Sequence, residues 1–218
     1  MRLSLPSSTP QTRPADQLGE VIETATTEFL AQCLEPEELN FAAMPPFGSW
    51  VKSLDEESGN QIYAVVYHVT TSPIDSVHRA RALGLSLQDL REQQPQIFAM
   101  HKTEFRAAIV GFHPDSSSPH NNRIFQHIPP RPPQIHQAVY RCSPDEVIEF
   151  SEQLEFLRTL LLVTQAPVDA LIAAAIREIY QLRQGDRSWL VQAGRMLSLI
   201  LKDDYDRLQV VLSQIYLS

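Results

Sequence analysis

Two hydrophobic periods divide the chain. Up to about residue 142 the apolar positions alternate with polar ones or form short β-rich runs, and beyond it they recur at helical spacing. Residues 49–53 and 61–69 predict a hairpin around an acidic turn, Leu54 to Asn60, whose Gly59-Asn60 suits positive φ. Its second strand is the strongest β signal present: Ile62, Tyr63, Val65, Val66, Tyr67 and Val69 are all β-formers, without Pro or Gly between them. Upstream, 19–26 predicts an opening strand, and 27–33 continues or pairs with it, placing Phe29, Ala31 and Cys33 on one face. Downstream come two short helices, 74–83 and 86–94 with Ser86 as N-cap. Strands follow at 97–102, 105–112, 123–128 and 136–141, with a polar loop at 113–122 and a stiff Pro129 to Pro133 segment between them.

From Ser143 the pattern is wholly helical. Ser143-Pro144-Asp145-Glu146 combines an N-cap, Pro at the first helical position and a capping-box Glu. Four helices are predicted: one to about Val163, one from Pro167, one capped at Asp186, and one capped at Asp203 or Asp204. They form a small bundle or a packed tail. The expected fold is α+β: a tail at 1–16, an antiparallel β-barrel with a short helical insertion at 17–142, and an α-helical domain at 143–218.

The totals change this picture little. The chain has 218 residues and a formal net charge of −8, with acids exceeding bases on both sides of residue 142. That balance argues against a general nucleic-acid binder. Cations are 15 Arg and only Lys52, Lys102 and Lys202. Two cysteines, Cys33 and Cys142, are too few for a disulfide scaffold. The first residues lack the apolar core of a signal peptide, and no apolar run reaches the length of a membrane span, so a cytoplasmic protein without membrane insertion is expected.

The spacing of the chemistry-bearing residues matches no known site motif. The seven glycines are scattered, so neither a P-loop nor a G-x-G-x-x-G motif can be written. The seven histidines all fall between His68 and His136, yet at no zinc-ligand spacing. G-x-S-x-G is absent, and Cys33 reads as a small core residue. No catalytic, cofactor or metal residue is assigned. Candidate interaction residues are Phe47 and Trp50 beside Gly48, the arginines Arg79, Arg81, Arg91 and Arg131, and Trp189 with Tyr205 on the helices.

The stretch GEVIETATTEFLAQC, then PPFGSWVKS, an acidic turn, GNQIYAVVYHVTT, and later PPRPPQIHQAVYRCSPDEV together resemble the HAS barrel. That is the small barrel at the N-termini of HerA-type DNA-translocating ATPases and of the catalytic-ring subunits of rotary ATP synthases. The whole chain also resembles cyanobacterial proteins that join such a barrel to a helical tail. In the ATPases a motor carrying a P-loop follows; here helices follow, so the resemblance transfers no ATPase residue. It implies a non-enzymatic interaction or assembly module that binds a protein partner or a second copy of itself, without a cofactor. Two alternatives remain: an accessory factor in DNA or RNA processing, and an enzyme with an unrecognised site near His68, His101 and Arg106.

Overall fold

The computed structural model describes residues 14–36, 41–74, 81–115 and 123–215. Six strands close into an antiparallel barrel. They are β1 (Gln17–Thr24), β2 (Glu28–Cys33), β3 (Trp50–Asp55), β4 (Asn60–Pro73), β5 (His101–His113) and β6 (Ala138–Arg141), in the order β1-β2-β5-β4-β3-β6. The short β6 completes the ring, pairing with β1 through Glu20↔Ala138 and with β3 through Ser53↔Val139. Closure pairs every strand on both sides within the ring, while among the described residues β4 beyond Val66 and β5 before Glu104 run on paired only with each other.

Alternation along β4 explains its unbroken apolar run. Ile62, Ala64 and Val66 point into the barrel, where they meet Val21, Phe29, Ala31, Val51, Phe105, Ala107 and Val139. Tyr63, Val65 and Tyr67 point outward and are buried all the same, because helices cover that side. A strand buried on both faces carries apolar residues at every position rather than at every second one. Cys33 closes the same inner cluster, on the face shared with Phe29 and Ala31 that the spacing predicts.

The helical part comprises α3 (Pro144–Phe150), α4 (Phe156–Leu160), α5 (Val168–Leu182), α6 (Arg187–Ile200) and α7 (Tyr205–Ile215). Its core is continuous with the barrel's outer face. Trp50, Tyr63, Val65, Tyr67, Ala108 and Val110 form one cluster with Phe150, Phe156 and Leu160 and with the buried faces of α5, α6 and α7. Gly48 sets how closely the layers approach. It sits at φ 85°, donates its N–H to Val66 O at 2.8 Å, and a Cβ there would fall 2.6 Å from Ala174 Cβ of α5.

Several expected elements take other forms. The helix expected over 143–163 is broken between α3 and α4. Gln126 enters the break, donating from Nε2 to Phe150 O (2.6 Å) and Gln153 O (2.9 Å) and accepting Phe156 N–H at 2.9 Å. These bonds satisfy the helix ends that the interruption exposes. The strand expected over 97–102 is only partly formed: Gln96–Ala99 is a one-turn helix, α2, after Pro95, and β5 starts at His101 and runs unbroken through the strand expected over 105–112. β4 runs on to Pro73 because β5 supplies partners for Thr70 to Pro73; Thr71 and Thr103 hydroxyls meet across the ladder at 2.8 Å. Ile74 then bonds Met100 O at 2.9 Å, and Arg81 to Leu83 are not helical; the rest of the 74–83 helix lies outside the described residues. Residues 123–128 contribute a single bridge, Phe112↔Phe125, instead of a strand. The Ser86 cap is present, opening α1 (Leu87–Gln93) with Asp89 completing a capping box. Ser143 with Glu146 does the same for α3.

Candidate interaction groove

Where the β1–β2 turn, the 126–128 segment and α4 meet, the surface folds into a groove of about 440 Å³. The turn is held by Ala25 N–H to Glu28 O (2.9 Å), and Thr27 O accepts Ile109 N–H at 2.8 Å. The Gln126 clamp sets the distance between the 126–128 segment and α4. On α4, Leu157 and Leu160 turn inward, which sends Arg158 outward and leaves the following Leu162 78% exposed at the groove. Its lining combines the apolar Ala25, Ala108, Ile109, Ile128, Leu162 and Val163 with the polar Thr27, Thr159, Thr164 and Gln165.

Its charges are paired. Glu28 accepts the Tyr67 hydroxyl at 2.5 Å and Arg106 Nη1 at 3.1 Å, while Arg106 Nη2 reaches Glu23 at 3.4 Å. Burial, reinforced by Glu28, pushes the Tyr67 phenol well above its ordinary range, so it stays a proton donor. Across the groove Arg158 Nε bonds Glu155 at 2.9 Å.

A second cleft lies at the β3–β6–α3 junction, lined by Asp16, Lys52, Arg141, Cys142, Ser143, Pro144 and Glu146. Lys52 Nζ meets Glu146 Oε1 at 2.5 Å. That contact, with the Ser143 capping bonds, lowers the Glu146 carboxyl against the opposing effect of burial. Cys142 is buried, and its thiol is held far above its ordinary value; burial raises Cys33 to about 11. Both are free, neutral thiols without nucleophilic character near pH 7. Glu178 of α5 is raised by burial to about 7, despite Arg141 and the Trp50 backbone N–H.

Most of the expected contact residues do not come together. Trp50 and Trp189 are core residues, 1% and 4% exposed. Trp50 packs against Phe150 and Phe156 with ring centres 5.1 and 5.3 Å away, and Trp189 Nε1 donates to Ser151 O at 2.8 Å. Neither is therefore available as a contact residue: the helical layer and its own packing cover them. Phe47 is 39% exposed beside Gly48, and Tyr205 is 67% exposed on α7, its hydroxyl bonded by Gln209. Arg131 is paired with Glu57 at the β3–β4 turn; Arg81 and Arg91 are exposed beside and on α1, at a separate place. Arg79 lies outside the described residues.

His68, His101 and Arg106 line neither cleft. His68 is exposed opposite Arg106 in the ladder, while His101 is engaged by Ile97 O at 2.9 Å and by the Phe41 ring edge. Among the described residues no three His, Cys, Asp or Glu side chains group to hold a metal ion, and no helix is long and apolar enough to cross a membrane.

Sequence spacing did not point to Glu28, His127 or Leu162. The last did leave a trace, since Leu160 to Val163 are four successive apolar residues, more than one helix face can bury.

Residues 18–112 match the family model of the HAS barrel domain, a span covering β1 to β5, with the closing strand β6 beyond it. Among curated proteins none matches the chain.

Proposed function

Because this chain carries a HAS barrel domain, we propose that it is a non-catalytic interaction and assembly module that docks a protein partner in the groove between barrel and α4. The observation that carries this reading is Leu162: a leucine 78% exposed in the lining of a mainly apolar groove. Large apolar groups left in water beside a concavity mark contact surfaces. The barrel suits such a role as a compact block, its interior filled by aliphatic and aromatic side chains. Buried neutral thiols and ion-paired groove charges support the non-catalytic part of the reading.

The test is affinity capture of the tagged full chain from its own cells, quantified against Leu162→Asp and, as control, Leu199→Asp on the solvent side of α6. A stoichiometric partner that is lost with Leu162→Asp and kept with Leu199→Asp is expected. Recovery of no stoichiometric partner, together with a monomer in solution, would overturn the module reading; a partner indifferent to Leu162→Asp would overturn its placement in the groove.

A further inference from the structure

We propose that the outer edge of β4 beyond the ring, Val69 to Pro73, takes up an extended, proline-free segment of a protein partner as an added strand. None of these residues lines the groove beside α4, so the two sites stand or fall separately.

Alternation places the free groups. Val66 is held from the β3 side, its N–H going to Ser49 O at 2.9 Å and its O accepting Gly48 N–H at 2.8 Å. From His68 to Pro73, among the described residues, β4 pairs with β5 alone, in the register His68↔Arg106, Thr70↔Glu104 and Ser72↔Lys102. Ile74 N–H bonds Met100 O at 2.9 Å. Main-chain groups of an antiparallel strand alternate in direction. Ser72, Thr70 and His68 therefore turn theirs to β5 with Ile74, and Val69, Thr71 and Pro73 turn theirs away. Two observations agree. The Thr71 and Thr103 hydroxyls meet at 2.8 Å, as side chains do across the closer, non-hydrogen-bonded kind of pair. Pro73, which has no N–H to give, falls on an outward position.

The free groups select the occupant. Val69 and Thr71 each present an N–H and a C=O, and Pro73 a C=O, at a two-residue repeat along one line. An extended backbone carries donors and acceptors at that same repeat, and adds to such an edge as a strand. No charged side chain lies on this edge between His68 and Pro73, so main-chain bonding sets the contact.

A second copy fits less well than a foreign strand. Pairing about a two-fold axis at Thr70 would carry Ile74 of the other copy opposite Val66, the place that Ser49 fills. An axis at Thr71 or Ser72 would set Pro73 opposite an outward C=O and leave it without a donor. A net charge of −8 on each chain adds repulsion. A proline-free segment of another protein meets none of these obstacles.

Amide NMR of the full chain, with acetyl-Thr-Val-Thr-Val-Thr-amide as the probe, tests this. In the free protein the Val69 and Thr71 amides are expected to exchange rapidly and those of Thr70 and Ser72 slowly. On titration the first two are expected to shift along one saturable curve and to become protected. N-methylation of the two probe valines leaves one bonding edge of the peptide and is expected to be tolerated; N-methylation of every residue is expected to weaken binding about fivefold or more. Thr71→Pro removes an outward N–H and no bond to β5, and is expected to weaken the probe to the same degree, while Thr71→Ala leaves it unchanged. Where Thr71→Pro fails to fold, the methylated probes decide alone. Absence of saturable shifts at Val69 and Thr71, or indifference to full N-methylation, would overturn the proposal. So would Val69 and Thr71 amides already protected in the free protein: protection that grows with concentration assigns the edge to a second copy, and protection independent of concentration shows the edge closed.

Discussion

Glu178 offers a sharp check on how the helical layer sits on the barrel. Its carboxyl lies on α5 against β3 and β6, where burial raises it from 4.5 to about 7 although Arg141 and the Trp50 N–H favour the charged form. The folded protein thus holds a proton that the unfolded chain has already released. Stability must fall as pH rises from about 4.5 to 7, and the full cost persists above 7, where both states are ionised. At about 1.4 kcal/mol per pH unit the ceiling is roughly 3 kcal/mol; partial access of water to the carboxyl reduces this to roughly 1–2 kcal/mol. Glu178→Gln keeps an oxygen to accept the Trp50 N–H and removes the titration. Urea unfolding of both proteins at intervals from pH 5 to 8 should show near-equal stability at pH 5 and a variant more stable by roughly 1–2 kcal/mol at pH 8. A difference that is constant with pH, or one that favours the wild type increasingly as pH rises, would refute the burial of this carboxyl at the junction.

Three further outcomes follow from packing. Gly48→Ala should cost roughly 2–4 kcal/mol in chemical denaturation, because positive φ and the Ala174 contact both exclude a methyl group there. Gln126→Ala should lose roughly 1–3 kcal/mol and speed hydrogen exchange at the Phe156 amide, which would no longer have its side-chain acceptor. Trp50→Ala should destabilise by roughly 3–5 kcal/mol in the same unfolding assay, as expected of a ring packed between Phe150 and Phe156; a change below 1 kcal/mol would return Trp50 to the surface.

The groove was hardly legible in the sequence, and the reason is geometric. Arg106 and Glu28 are far apart in the chain and become partners only because β2 and β5 pair with Leu30 opposite Arg106. Trp50 illustrates the reverse error. Beside Gly48 it reads as a candidate contact residue, and it is buried by α3 and α4 residues a hundred positions later. Local signals fared better: Ser86, Ser143 and Asp186 cap helices as their neighbours predict, because a cap is made within four residues.

By itself the sequence determined the two periods, and with them an antiparallel β-barrel followed by helices; alternation and 3.6-residue spacing are written in adjacent residues and survive without knowledge of partners. Tertiary structure alone decided that the helices share a core with the barrel's outer face, that Gln126 breaks the first of them, and that Leu162 is left in water at the rim of a groove. Those outcomes depend on which surfaces meet across long stretches of chain, and a linear pattern specifies that a face is apolar without specifying what covers it.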